Sequence, residues 1–377
     1  MTEQIPVTPA IITWARERAR FSVAELEGDF RHIEAWEAGE AFPTYPQLEK
    51  LSETLKVPIA VFFFPQPPDI PPIRESFRTL PDAQFDRLPR EIRFLMRKAK
   101  ALQINLAELN DGANPVPRFI LRDLHFSLDT DISEMARDVR DYLGVTLEEQ
   151  ISWPDRDNAF DQWRTALESV GIAVFKDAFK NDSFSGFCLY DNDFPLIYVN
   201  NSTKTRDIFT LFHELGHLLF HTSGIATEGD EFDEGFSLEG WRIEVICNEF
   251  AAEFLLPANR FEAEFRGHPA TEPVAEALAE RFHVSREFIF RRFLDRNLIS
   301  EEVYRTAVRR WAAQRQQGES GGNHYWTKIA YLGTRYINLA LSRYYQNRIT
   351  RNELADYLDI KGRNIPKLEE YFARKIT

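Results

Sequence analysis

The sequence has little cysteine and no long apolar run. Only 2 of its 377 residues are cysteine, Cys188 and Cys247, which argues against a disulfide framework and is typical of a reducing compartment. No apolar run approaches the ~20 residues that a membrane-spanning helix needs. The N-terminus also lacks a basic segment followed by an apolar one, so no signal peptide is visible. We therefore expect a cytoplasmic protein with no membrane partner.

The charge of the chain limits its partners. The net charge of −13 disfavours non-specific binding to nucleic acid or anionic lipid. Residues 1–65 carry 6 basic and 10 acidic side chains, whereas residues 322–377 carry 10 basic and 5 acidic ones. The C-terminal segment is therefore the better place for a nucleic-acid surface.

Apolar periodicity predicts a mostly helical chain with a few strands. Short helices are expected across 8–65, and Ser22 and Glu25 resemble a capping box that starts one of them. A proline-rich linker at 65–72 and one amphipathic helix over 89–110 follow. The later predictions are helices at 130–143, 158–171, 203–221 and 240–255, strands at 173–175, 184–190 and 196–199, and a loop from Gly224 to Gly240. A glycine-bearing linker at 316–322 precedes a helical tail.

One segment carries the chemistry. Residues 213–217 read HELGH within an apolar run, which places His213 and His217 on one helix face, one turn apart. Two imidazoles at that spacing can bind one Zn²⁺, and Glu214 beside them is a candidate general base.

A catalytic zinc uses three protein ligands and one open position. The predicted helix at 240–255 offers Glu244 as the third ligand, with Asn248 at i+4 as a hydrogen-bonding partner for a ligand. Cys247 is interpreted as a small core residue, with thiolate ligation as the alternative. Glu249 and Glu253 are interpreted as parts of a solvated helix face.

His221 opens a second pairing, because it lies four residues beyond His217. His213 and His221 would be roughly 12 Å apart along the axis, too far to share one ion easily. The position of Glu214 next to His213 favours the pair His213 and His217. His221 is interpreted as a residue that hydrogen-bonds a metal ligand or caps the helix. Tyr198 and His221 are candidate donors to a developing oxyanion.

These residues predict a hydrolytic reaction. Zinc would lower the pKa of a bound water to about 7. Glu214 would take the proton of that water and later pass it to the leaving amine.

The spaced motifs resemble the ImmA/IrrE family of zinc metallo-endopeptidases over about 150–290. The resemblance lies in segments 197–200, 206–221 and 244–257; the family usually has Ala where this chain has Cys247. It implies a gluzincin-like site in which His213, His217 and Glu244 bind zinc and Glu214 is the catalyst. The family's typical substrates are bacterial or phage repressors.

The N-terminal segment resembles an XRE/Cro-type helix-turn-helix. The matching stretches lie between Trp14 and Pro67, but about four residues of the usual second helix and turn are missing between Ser22 and Trp36. The missing residues and the excess of acidic side chains in this segment disfavour sequence-specific DNA binding. The tail from Thr350 to Tyr371 also has helix-turn-helix spacing, and we favour a small helical bundle that packs on the peptidase or on a partner.

The expected fold is α+β and mostly helical, with a gluzincin-like peptidase core, a small β-sheet and helical modules on both sides. The predicted domains are a degenerate XRE-like helix-turn-helix at 1–65, a proline-rich linker and helical connector at 66–130, an ImmA/IrrE-like zinc peptidase domain at 131–315 and a basic helical module at 323–377.

The predicted function is an intracellular zinc-dependent endopeptidase that makes limited cuts in a regulatory protein, such as a repressor, in a stress, mobile-element or phage-defence response. The expected partners are a regulator encoded nearby, a toxin or antitoxin, and DNA through the helical modules. The alternative is a DNA-binding regulator or toxin–antitoxin component whose zinc site is structural or vestigial.

Overall fold

The computed structural model describes residues 4–69, 73–77, 82–201, 206–227, 237–315 and 322–376. These residues form an α+β protein that is mostly helical and contains a small four-stranded sheet, as predicted. The chain divides into two compact units, Met1–Glu75 with Arg87–Lys98, and Ser76–Asp86 with Ala99–Thr377. The four domain boundaries drawn from the sequence stay predictions.

The first unit is built from short helices. Its elements are α1 (Pro9–Ala19), α2 (Val23–Glu27), α3 (Ile33–Glu37), α4 (Tyr45–Leu55), a 3-10 helix (Ile59–Phe63) and the first part of α6 (Arg90–Leu109). The predicted capping box at Ser22 and Glu25 is confirmed, because the Glu25 amide donates to Ser22 Oγ and the Ser22 amide donates to Glu25 Oε2. Such reciprocal caps satisfy amides that the first turn of a helix leaves unpaired.

The helices α2 and α3 lie in the segment for which a helix-turn-helix was predicted, and they have five residues each. Trp36 and Ile33 of α3 point into the core of this unit and are buried. The exposed side chains of α2 and α3 include Glu25, Glu27 and Glu34. Their negative charge opposes contact with DNA phosphates.

The second unit contains the sheet and most of the helices. Its helices are α5 (Asp82–Arg87), the later part of α6, α7 (Ile120–Asp123), α8 (Ile132–Leu143), α9 (Leu147–Ser152), α10 (Arg156–Ser169), α11 (Asp207–Leu219), α12 (Leu238–Leu255), α13 (Ala258–Phe265), α14 (Glu272–Phe282), α15 (Arg286–Asp295), α16 (Glu301–Arg315), α17 (His324–Leu332), α18 (Thr334–Tyr345), α19 (Arg351–Tyr357) and α20 (Ile365–Ile376), with 3-10 helices at Ile73–Phe77 and Gly362–Asn364.

The sheet has the order β1-β3-β2-β4, with β1 (Ala173–Asp177), β2 (Phe184–Leu189), β3 (Leu196–Asn200) and β4 (Ile225–Thr227). The strand β1 runs parallel to β3, while β2 is antiparallel to both β3 and β4. The first three strands were predicted. The prediction of a loop from Gly224 onward is wrong for β4, because a three-residue strand is defined by its pairing with β2 and leaves almost no local pattern. Residues 228–236 of that predicted loop lie outside the described residues.

The core of this unit lies between the sheet and the helices α10, α11 and α12. Trp163, Phe212 and Phe254 are buried in mutual ring contact at its centre. Gly216 allows α11 to approach α12 closely, since a Cβ there would lie 2.9 Å from Cys247 Sγ and 3.2 Å from Cys247 Cα. This close packing fixes the distance between the two helices that carry the site.

The C-terminal helices pack on the β1 side of the sheet. The Arg164 guanidinium of α10 donates to the carbonyls of Ala330 and Tyr331 in α17. The Tyr336 ring of α18 lies edge-on to Phe175 of β1, with ring centroids 5.3 Å apart. Within the described part of the chain, no helix is both long and apolar enough to span a bilayer.

Candidate metal centre

The site lies between α11 and α12. His213 contacts Asn248 and His217 contacts Glu244, so the two helices run antiparallel with their polar side chains facing each other. The helix α11 is almost entirely buried, and its side chains at His213, Glu214 and His217 are 3%, 0% and 5% exposed. An apolar helix that buries three ionisable groups requires a partner for each of them.

Three donor groups converge at one point. His213 Nε2 lies 3.2 Å from Glu244 Oε1, and His217 Nε2 lies 3.1 Å from Glu244 Oε2. The two Nε2 atoms are 3.2 Å apart. Among the described residues, these three side chains form the group of His, Cys, Asp and Glu that could hold a metal ion.

This arrangement fits zinc. Bonds of about 2.0–2.1 Å to nitrogen and oxygen in a tetrahedron place neighbouring donors about 3.3 Å apart, close to the observed separations of 3.1–3.2 Å. Two imidazoles and one carboxylate are also a donor set that catalytic zinc uses, with a fourth position open. The residues present therefore fit a bound Zn²⁺ ion.

The far side of each imidazole is anchored. His213 Nδ1 lies 3.1 Å from Asn248 Oδ1, and His217 Nδ1 lies 3.4 Å from Thr222 Oγ1. The Thr222 hydroxyl donates to the His217 carbonyl, which leaves an oxygen lone pair to accept from Nδ1. With a metal bound, each ring would carry its proton on Nδ1 and direct the Nε2 lone pair to the metal position.

Asn248→Ala is expected to weaken zinc binding about tenfold, because loss of the outer partner frees the His213 ring and its tautomer. Asn248→Asp keeps an acceptor oxygen and is expected to bind zinc as tightly as the wild type. Competition against a chromophoric chelator measures both affinities. Equal affinity of the alanine variant and the wild type would show that Asn248 does not hold the ligand.

Glu214 lies beside the ligands, held by one oxygen. Its Oε1 accepts a hydrogen bond of 3.0 Å from the Ala226 amide of β4. Its Oε2 is buried and has no hydrogen-bond partner among the described residues. A buried carboxylate oxygen without a partner is costly, so Oε2 would gain from a hydrogen bond to a water molecule in the site. Burial raises the pKa of Glu214, although His213 and His217 oppose the shift.

The ligand side chains stabilise one another's charge. Burial acts to lower the pKa of His213, but the effect of the Glu244 carboxylate is stronger and raises this pKa to about 9. Burial acts to raise the pKa of Glu244, and His213 and His217 bring it well below its ordinary value. The cluster therefore holds Glu244 ionised, as a metal ligand must be.

Gly224 forms the floor under His217. A Cβ at this position would lie 2.4 Å from His217 Cδ2 and 2.7 Å from Nε2, distances that real Cβ atoms do not tolerate. The Gly224 amide donates to Cys188 Sγ, and the Cys188 amide donates to the Gly224 carbonyl. These two bonds fix the segment after α11 against β2, so that its backbone lies close to the His217 imidazole.

Two of the predicted site residues contact groups other than the three ligands. The Tyr198 hydroxyl donates to Asp177, and its ring is enclosed by Phe179 and Phe187, so the structure does not bring it to the ligands. His221 follows α11 with a positive φ of 56°, and its Nε2 lies 3.3 Å from the Leu121 carbonyl. The metal-ligand group does not include either side chain.

The remaining candidates on α12 differ in how far their side chains are buried. Cys247 is fully buried against Gly216, in agreement with its interpretation as a core residue. Glu249 is exposed. Glu253 is not simply solvated, because its carboxylate accepts from the Ala258 amide at the start of α13.

Sequence reasoning missed Thr222, Gly224 and the Ala226 amide. Each acts through the chain reversal after α11, which brings residues 222–226 back over the helix. The glycine after the motif was the available signal, since glycine is the residue that permits such a close backbone approach.

Comparison with known proteins agrees with this geometry. Residues 167–294 match the model of the Peptidase_M78 family, described as the IrrE N-terminal-like domain. The match includes all four strands and both ligand helices. No curated protein matches the chain. The stretch that builds the site is therefore similar to an ImmA/IrrE-type peptidase domain, which supports a metallopeptidase-type function.

Proposed function

We propose that the chain is a zinc-dependent endopeptidase that makes limited cuts in a regulatory protein. The observation that carries the proposal is the convergence of His213, His217 and Glu244, whose donor atoms lie 3.1–3.2 Å apart. Beside them is a buried Glu214 oxygen with no hydrogen-bond partner in the described part of the chain. A site with only a structural role has no use for this second carboxylate beside the three ligands, since structural zinc sites are closed by four ligands.

The roles of the residues follow from their contacts. His213, His217 and Glu244 would hold Zn²⁺, which supplies electrostatic activation of a water molecule and of a peptide carbonyl. Glu214 Oε1 accepts from the Ala226 amide, which leaves Oε2 to take a proton from the reacting water. Burial raises the pKa of Glu214 and strengthens it as a base. The same oxygen then delivers the proton to the leaving amine.

The class of substrate rests on the resemblance. Repressors are the typical substrates of ImmA/IrrE-type peptidases, and residues 167–294 match the domain of that family. We therefore propose a regulator encoded nearby as the substrate, cut in a stress, mobile-element or phage-defence response, with a toxin or antitoxin as a further partner. Cys188 and Cys247 are both free and buried, as expected for a cytoplasmic protein.

The competing proposal is a DNA-binding regulator or toxin–antitoxin component with a vestigial zinc site. The helices at the helix-turn-helix position have five residues each and expose glutamates. On the C-terminal side, the exposed Glu370 of α20 forms ion pairs with Lys367 and Arg374 of the same helix. These pairs leave little free positive charge on that face. These observations favour the peptidase.

Metal removal tests the proposal. The purified full chain is expected to contain one zinc ion, to lose cleavage of a co-expressed neighbouring regulator on chelation, and to regain it when zinc is returned. Mass spectrometry of the regulator identifies the cut, and metal analysis gives the stoichiometry. A well-folded chain that binds no zinc would overturn the proposal.

A further inference from the structure

A cavity of about 300 Å³ lies at the β1 edge of the sheet, between β1 and α18. We call it the β1–α18 cavity. The metal centre lies at the opposite edge, where Ala226 of β4 contacts Glu214. The cavity is therefore separate from the proposed substrate site, and its volume is at the small end of the range that bound small molecules occupy.

The interior of the cavity is mainly apolar. The side chains that form its apolar wall come from α6, β1, α18 and the segments beside them: Leu106, Val116, Ile172, Phe175, Phe194 and Leu339. Such a surface favours the hydrocarbon part of a ligand, because moving apolar groups out of water is favourable.

Fixed contacts shape the cavity. The Tyr336 hydroxyl accepts from Asn105 Nδ2 of α6 and donates to the Tyr357 carbonyl of α19. The Arg343 guanidinium of α18 donates to the Leu109 carbonyl at the end of α6. These bonds hold α18 in place on both sides of the opening, so the cavity is preformed.

Two charged residues, Glu168 and Arg335, line the cavity. They differ in how closely a group of opposite charge approaches them. Glu168 is almost buried and receives a hydrogen bond of 3.2 Å from Arg164 Nε. Arg335 is exposed at the opening, and within the described ranges no carboxylate lies in ion-pair distance of it. Glu168 offsets the charge of Arg335 only in part, because the same carboxylate also pairs with Arg164. The cavity therefore combines an apolar interior with a net positive charge at its opening.

Neutral polar groups surround that charge. Asn338 and Ser342 of α18 line the same opening as Arg335 and offer further hydrogen-bond donors. The Asn114 amide is already used, because its Nδ2 donates to the carbonyls of Gly171 and Asp193. The donors near Arg335 suit an anion with acceptor oxygens.

We propose that the β1–α18 cavity binds a small apolar monocarboxylate. The hydrocarbon part occupies the space between Phe175 and Leu339, and the carboxylate pairs with Arg335. The bound molecule contacts both β1 and α18, so it stabilises the packing of the C-terminal helices on the sheet. This site lies outside the proposed peptidase chemistry and does not depend on it.

Octanoate is the probe, with octanamide as its neutral counterpart. Calorimetry on the full chain is expected to show saturable octanoate binding and about tenfold weaker octanamide binding, as the loss of one charge-assisted contact predicts. Saturating octanoate is also expected to raise the Tm by a few degrees, because it binds the folded state alone.

Three variants locate the site. Arg335→Gln is expected to weaken octanoate about tenfold and leave octanamide unchanged. Arg363→Gln, at an exposed arginine of the 3-10 helix that does not line the cavity, is the matched control and is expected to bind as the wild type. Leu339→Phe fills the cavity and is expected to weaken both probes.

The outcomes separate clearly. Equal octanoate affinity in the wild type and Arg335→Gln, or no saturable binding at millimolar octanoate, would overturn the proposal. Unchanged binding in Leu339→Phe would place the ligand elsewhere and overturn it as well. None of these measurements uses peptidase activity, so their failure would leave the proposed function untouched.

Discussion

Glu214→Gln is expected to reduce substrate cleavage about a thousandfold while zinc stays bound. The amide of glutamine can still accept the Ala226 hydrogen bond that Glu214 Oε1 accepts, but it cannot take a proton from water. The metal ligands His213, His217 and Glu244 are unchanged. Metal analysis together with the rate of cleavage of the neighbouring regulator measures both effects.

Glu249→Gln is the matched control, since Glu249 is an exposed carboxylate on the ligand helix α12 and contacts none of the ligands. It is expected to cleave at the wild-type rate. Full activity of Glu214→Gln would rule out Glu214 as the base. If instead the competing DNA-binding proposal holds, binding to a preferred operator will be tight, salt-sensitive and indifferent to Glu214→Gln.

Gly224→Ala is expected to weaken zinc binding by about 10- to 100-fold. The added methyl group would lie 2.4 Å from His217 Cδ2, so either the imidazole or the segment after α11 must move. Backbone strain is not the cause, because Gly224 is not among the glycines with a positive φ. The affinity follows from competition with a chelator, and the circular dichroism spectrum reports whether the helices remain.

Gly362→Ala is the control for this variant. Gly362 lies in the same compact unit, and a Cβ there would meet nothing within 4 Å. Its zinc affinity is expected to equal that of the wild type. Should Gly224→Ala bind zinc as tightly as Gly362→Ala, the contact between Gly224 and His217 would have no part in holding the ligand.

Local sequence was sufficient to predict the elements with a strong pattern. The helix predicted at 89–110 is observed at Arg90–Leu109, and the one predicted at 240–255 is observed at Leu238–Leu255. The capping box at Ser22 and Glu25 was legible because both partners lie within four residues. β4 was missed because three residues carry no alternation that could be recognised.

For the candidate site, too, local sequence predicted some features and missed others. The spacing of His213 and His217 and the choice of Glu244 came from residue types and helix periodicity, and the structure brings these three side chains together. Their roles in catalysis stay predictions. The proposal of Tyr198 and His221 as oxyanion donors stays a prediction. In the structure, the Tyr198 hydroxyl donates to Asp177, and His221 Nε2 lies near the Leu121 carbonyl.

The sequence by itself determined that His213 and His217 share a helix face, since an i, i+4 pair does so whatever the rest of the fold does. It also determined the mostly helical class. Only the tertiary structure decided which atoms hold the side chains of the site: the Asn248 and Thr222 oxygens, the Ala226 amide and the Gly224 backbone. These contacts depend on the antiparallel approach of α11 and α12 and on the return of β4 to β2. Such long-range packing has no periodic signature in the chain.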